Sequence, residues 1–78
     1  GEQEYWLELP TGEAGDPEFE AAIEALASTA VAHLHSGEAS VGLRHGPTTV
    51  VDVERGPEHE HRILTELALW GLDPESDA

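Results

Sequence analysis

The stretch DPEFEAAIEALASTAVAHLHSGEASVGL, residues 16–43, decides how this chain folds. Asp16 can accept from the free N–H groups at a helix start, and Pro17 suits the first helical position, where its missing N–H costs nothing. Glu18 and Glu20 then lie near the positive end of the helix dipole. Phe19, Ile23, Leu26, Ala30 and Leu34 recur at spacings of three and four and form one apolar stripe, which Ala22, Ala25, Ala27 and Val31 widen. Small residues in that stripe suit close packing on a sheet. Ser36-Gly37 stops the helix, Gly37 being free to take the left-handed conformation that closes it. Ala39 to Arg44 then alternates in the strand sense, with Val41 and Leu43 on one side.

Upstream, Tyr5-Trp6-Leu7-Glu8-Leu9 alternates as a strand, with Tyr5, Leu7 and Leu9 on one face and Trp6 and Glu8 on the other, and Pro10-Thr11-Gly12 ends it. Downstream, His45-Gly46-Pro47 is short enough for a hairpin into a strand from Thr48 to Val53. Pro57, Glu58 and Glu60 open a second helix that runs through Trp70, with Ile63, Leu64, Leu67 and Trp70 on its buried face and Gly71 at its end. The order is β-α-β-β-α. A strand, crossover helix and strand imply a parallel pair, and the hairpin adds an antiparallel third strand. The expected fold is therefore an α/β (α+β) two-layer sandwich, a three-stranded mixed sheet covered on one face by two helices. One domain is expected over residues 5–72, with loose tails at 1–4 and 73–78.

With 78 residues, a domain buries only roughly 60% of the surface its unfolded chain exposes, so there is room for one small core. No cysteine is present, so neither a disulfide nor a thiolate metal site can support it. No apolar run reaches the about 18 residues of a spanning helix, and Gly1-Glu2-Gln3-Glu4 lacks the basic start of a secretory signal, which together imply a cytoplasmic domain with no membrane insertion. The start at Gly1 rather than Met fits either an added residue or a cut from a longer protein. Seventeen acidic residues face three basic ones, Arg44, Arg55 and Arg62, for a net charge of −14. Nucleic-acid binding is excluded on that balance, because grip on a phosphate backbone comes from Lys and Arg displacing counterions. The acidity fits either attraction to a basic partner or adaptation to high salt; with no lysine anywhere, adaptation is the stronger expectation, since a docking patch needs acidity on one face only.

Five histidines raise the question of a metal. Residues two apart on a helix point about 200° away from each other, so neither His33/His35 nor His59/His61 can chelate one ion from a regular helix. Solvent-facing imidazoles are the expectation, with His33 packing its ring edge at the border of the apolar stripe. Glu18, Glu20 and Glu24, like Glu58 and Glu60, read as solvated helix faces, lacking the alternating oxygens and glycine turn of a calcium loop. Ser28 and Thr29 have no base at usable spacing, and no Gly-Lys-Ser/Thr ending follows Gly12 and Gly15, so no metal, cofactor or nucleophile is assigned. Trp6 is the residue that stands out. With Tyr5, Leu7 and Leu9 toward the helices, Trp6 falls on the open face of the sheet beside Gly42, Arg44 and Val50. A large apolar side chain there either marks an interface, with the rest of a larger domain or with a second copy, or is half covered by neighbouring side chains. The expected interface is Trp6, Glu8, Arg44, Val50 and Asp52.

Phe19-Glu20, Ala27-Ser28 and the Gly37 to Leu43 stretch with Val41-Gly42-Leu43, followed by Arg62-Ile63-Leu64-Thr65-Glu66-Leu67-Ala68, resemble elements of a family of unknown function with a von Willebrand factor A-like fold, encoded beside MoxR-type ATPases. The resemblance spans about Trp6 to Trp70. It implies a β-α-β unit and leaves activity open. Metal-binding members of that fold carry Asp-x-Ser-x-Ser after the first strand, whereas Leu9-Pro10-Thr11-Gly12-Glu13 stands here, so the resemblance implies no metal site. A complete domain of that type is roughly twice this length, so the resemblance implies a fragment, a reduced relative, or no more than a shared β-α-β unit.

The first functional expectation is thus a non-catalytic protein-interaction module, docking another protein or a second copy through the open sheet face or an edge strand. The alternatives are a small ligand-binding or enzymatic domain using Glu8, Asp52 and His45 in a sheet-face pocket, and an acidic orphan protein of a salt-loving cell. Self-repulsion at this charge is relieved when salt shortens the screening length from about 10 Å at 0.1 M to about 3 Å at 1 M. The urea midpoint followed by circular dichroism should therefore rise between low and molar sodium chloride; an unchanged midpoint would show that the acidity does not bear on stability.

Overall fold

The computed structural model describes residues 3–71. Its elements are β1 (Gln3–Glu8), α1 (Pro17–His35), β2 (Ala39–His45), β3 (Thr48–Glu54) and α2 (Pro57–Trp70). They form one three-stranded sheet in the order β1-β2-β3, with β1 parallel and β3 antiparallel to the central β2. The expected mixed α/β architecture is the observed one. β1 begins at Gln3, so Gln3 and Glu4 are strand residues rather than tail. The tail expected at 73–78, the end of the domain at Leu72, and residues 1 and 2 lie outside the described residues.

The ends of α1 follow from their chemistry. The Asp16 side chain accepts from the Glu18 N–H, Pro17 opens the helix, and Gly37 takes a φ of 77° just past the Ser36 cap. Ser36 closes the other end by donating its hydroxyl to the His33 carbonyl at 2.6 Å. Gly46 and Pro47 form a two-residue hairpin turn, in which Gly46 has a φ of 59°. A positive φ at the first central position with proline's fixed negative φ at the second is the type II′ combination, whose twist matches paired strands.

The core joins Phe19, Ile23, Ala30 and Leu34 of α1 and Ile63 and Leu67 of α2 to Val41 and Leu43 of β2 and Val51 of β3. Val41 and Leu43 share a face of β2, so both helices cover that face. Leu9, just past β1, is buried in the same cluster, and Leu7, Leu26, Val50 and Trp70 pack at its rim.

His59 departs from expectation. It is buried rather than solvent-facing, at 6% exposure in the first turn of α2, and its Nε2 lies 2.5 Å from the Val41 carbonyl. A carbonyl can only accept, so Nε2 carries the proton and donates. The β2–β3 register slips between Val41 and Leu43, and His59 reaches the backbone at that slip. Its role is to satisfy a polar group where the ladder is irregular. His59→Phe keeps the ring but orphans the carbonyl, which should cost about 1–3 kcal/mol. Urea unfolding checks this, and His59→Gln, which retains a donor, should recover part of the loss.

Candidate functional site

The helix-free face of the sheet is built by a regular β1–β2 register: Glu4 opposite Ser40, Trp6 opposite Gly42, Glu8 opposite Arg44. Alternation along β1 sends Glu4, Trp6 and Glu8 to this face, because Tyr5 and Leu7 turn toward the helices. Gly42 has no side chain, and the indole fills the space above its backbone. A Cβ added at Gly42 would stand 2.9 Å from Trp6 Cζ3, 3.0 Å from Trp6 Cε3 and 2.9 Å from the Val51 carbonyl oxygen. Gly42 is buried by this cover. Trp6 itself stays 38% exposed, and of the large apolar residues described, Leu69 at 56% is the other that remains exposed. The indole is thus partly covered, with the Gly42 backbone beneath it.

The other expected interface residues fall into two groups. Glu8 and Arg44 meet on this face, with Glu8 Oε1 3.3 Å from Arg44 Nε, while Glu8 Oε2 accepts from the Gly46 amide at 2.6 Å. Both side chains are about half exposed, so the ion pair is worth only about 0–1 kcal/mol. The structural work of Glu8 is to latch the end of β1 to the hairpin turn. Asp52 is exposed, and its Oδ1 accepts from the adjacent Val53 N–H at 2.8 Å. Val50 does not lie free on the open face; it is half-buried and packs against the core cluster. The reason is a second register slip, between Leu43 and Arg44, that breaks the simple alternation along β3.

A cleft of about 560 Å³ opens at the C-terminal ends of β1 and β2, lined by Glu8, Leu9, Pro10, Thr11 and His45 to Thr48. His45 is half-buried against Trp70, ring centroids 5.0 Å apart and tilted by 59°. The Trp70 indole N–H donates to the Pro10 carbonyl at 3.1 Å and so fixes the floor beside it. Glu8 and His45 therefore share a cleft, and Asp52 is not among its lining residues.

The remaining histidines have separate partners. His33 stacks face to face on Tyr5, with centroids 3.8 Å apart and planes 10° apart, rather than packing its edge. His35 Nε2 lies 2.7 Å from Glu60 Oε1 and ties the end of α1 to the start of α2. His61 is exposed. Among the described residues no three His, Asp or Glu side chains converge as a metal site requires. Nor is any described helix long and apolar enough to cross a membrane. No family model, curated protein or solved structure matches the chain.

Gly42→Ala tests the seat of Trp6. The new methyl group meets an indole that can tilt and a Val51 carbonyl held in the sheet, so it should destabilise the fold by about 1–3 kcal/mol. In a Trp70→Phe background, where Trp6 is the single tryptophan, its emission should shift to the red as the ring lifts into water. Wild-type stability and emission in that variant would show that the indole is not seated on Gly42.

Proposed function

We propose that this domain is a non-catalytic protein-interaction module of the cytoplasm, and that it docks another protein on the helix-free face of its sheet. One observation carries the reading: Trp6, the largest side chain type available, stands 38% exposed over Gly42 on the face that neither helix covers. A partly desolvated aromatic residue with a rigid seat gives large contact area at little cost in side-chain entropy, which is why tryptophan is enriched among residues that dominate binding. Glu4, Glu8 and Arg44 surround it with a polar rim. The remaining acidity keeps the domain solvated, as in salt-adapted proteins. The kinship read from Phe19-Glu20 and Val41-Gly42-Leu43, to the von Willebrand A-like family beside MoxR-type ATPases, belongs to the same proposal and supplies no activity of its own.

A second reading is favoured by the Glu8–His45 cleft, which opens at the carboxyl ends of the parallel strands, where open α/β sheets commonly hold ligands. In that reading the domain binds a small molecule. The two differ in where contact is made: over Trp6 on the open face, or between Glu8 and His45 in the cleft.

A photo-crosslinking residue placed at Ser40, beside Gly42 on the open face, tests the choice in the producing cell. The expected result is a discrete adduct with a second protein that disappears with Trp6→Ala in a chain still folded by circular dichroism, and no adduct from the same group at Ser28 on α1. Absence of an adduct from position 40, with amide shifts at His45 and Gly46 of the nitrogen-15-labelled chain responding to small solutes or divalent ions, would replace docking by ligand binding.

A further inference from the structure

The two edges of the sheet differ. β3 slips register twice against β2, and such slips twist an edge and spoil it as a template for another strand. β1 keeps one unbroken register from Gln3 to Glu8, and among the described residues no strand lies beyond it. Its ladder is bracketed by Gln3 N–H to the Glu38 carbonyl and Leu9 N–H to the Arg44 carbonyl. Odd-numbered residues of β1 therefore turn their backbone toward β2, and the N–H and C=O groups of Glu4, Trp6 and Glu8 point out to the edge. The same three residues carry their side chains on the open face. One short segment thus presents three outward donors, three outward acceptors and an indole, with the Glu4 carboxylate beside it and the Glu8 carboxylate held toward Arg44 and the Gly46 amide.

We infer that β1 is a strand-acceptor edge whose occupant is a cationic extended segment of another protein, with Lys or Arg at alternate positions beside Glu4, Trp6 and Glu8. The inference rests on the docking reading above and names its partner's chemistry. Main-chain hydrogen bonds to an exposed edge supply affinity, and alternate side chains supply choice. Opposite charges directly across a strand pair are favourable and like charges unfavourable, and a cation over the tryptophan face is attracted by the ring. A second copy of this chain is disfavoured by the same rule. Antiparallel pairing of β1 with its own copy about Trp6 sets Glu4 against the Glu8 of the copy, twice, between two molecules each carrying −14.

The test is a titration of the nitrogen-15-labelled chain with three probes: an extended peptide alternating lysine and valine, its counterpart with glutamate for lysine, and the lysine peptide N-methylated at every lysine. The lysine peptide should slow hydrogen exchange at the Glu4, Trp6 and Glu8 amides by at least about tenfold and should bind more weakly as salt is raised. The other two should protect none of these amides. Equal binding of the lysine peptide and its N-methylated form would overturn strand addition while leaving a charged open face in place. If no peptide protects the edge and the Ser40 adduct nevertheless forms, the edge inference fails and docking stands; with neither, both fail. Glu4→Lys adds a check that needs no peptide. It makes the edge complementary to its own copy and should yield a dimer by light scattering at low salt, whereas a monomer would show that edge closed to pairing.

Discussion

The central strand β2 is covered on both sides. Val41 and Leu43 lie at 0% exposure under the two helices, and Gly42 between them is buried under the Trp6 ring on the opposite face. A three-stranded sheet in a chain this short has two faces to keep from water and two helices to do it with. Both helices go to one face, because their apolar stripes can then also bury each other. The other face is closed locally, over the central strand, by one aromatic ring laid on a residue without a side chain. Any larger residue at position 42 would push that ring away and press on the Val51 carbonyl. The exposed indole is thus part of what holds β2, and it is also the apolar surface on which the docking proposal rests.

Around this frame the polar contacts are numerous and individually weak. The His35–Glu60 and Glu8–Arg44 pairs sit at partly or mostly exposed positions, where such contacts contribute about 0–1 kcal/mol each. They set geometry more than stability: one aligns the end of α1 with the start of α2, the other the end of β1 with the hairpin. His59 differs in kind because its partner is a buried carbonyl. Removing a donor there exposes no group to water and leaves one unsatisfied, a larger penalty than the loss of a surface ion pair. The burial of the core side chains remains the dominant favourable term.

The order of elements was legible because each signal was local. Asp16-Pro17, Ser36-Gly37, Gly46-Pro47 and Pro57 each constrain a few adjacent dihedral angles, and the stripe from Phe19 to Leu34 has a period only a helix satisfies. Placing Trp6 over Gly42 was legible too, since strict alternation along β1 and β2 suffices. Alternation along β3 misled, because a bulge leaves no mark in Thr48 to Glu54 that a period of two can register, and Val50 consequently packs against the core. His59 was misread for a related reason. Its partner is a backbone carbonyl 18 residues away in sequence, and backbone groups freed by a bulge are invisible in a list of side chains. Pro57 at the first helical position did fix His59 in the first turn, but which way that turn faces depends on where β3 ends.

Charge in this protein has to be read at two scales. The total of −14 bears on solvation and self-repulsion, and says little about where anything binds. The local arrangement says more. Glu4 and Glu8 flank Trp6 on the strand with the regular outward ladder, while the other edge is already spoiled by its register slips. A flat, unguarded edge bearing an exposed indole would invite pairing with its own copies. Two carboxylates at positions that face each other in the symmetric pairing oppose that association without removing the backbone donors and acceptors. The same charges favour a basic strand. On the docking proposal, an edge that repels itself and attracts its opposite stays open in solution until such a segment arrives, while the bond from Glu8 to the Gly46 amide fixes where one of those carboxylates lies.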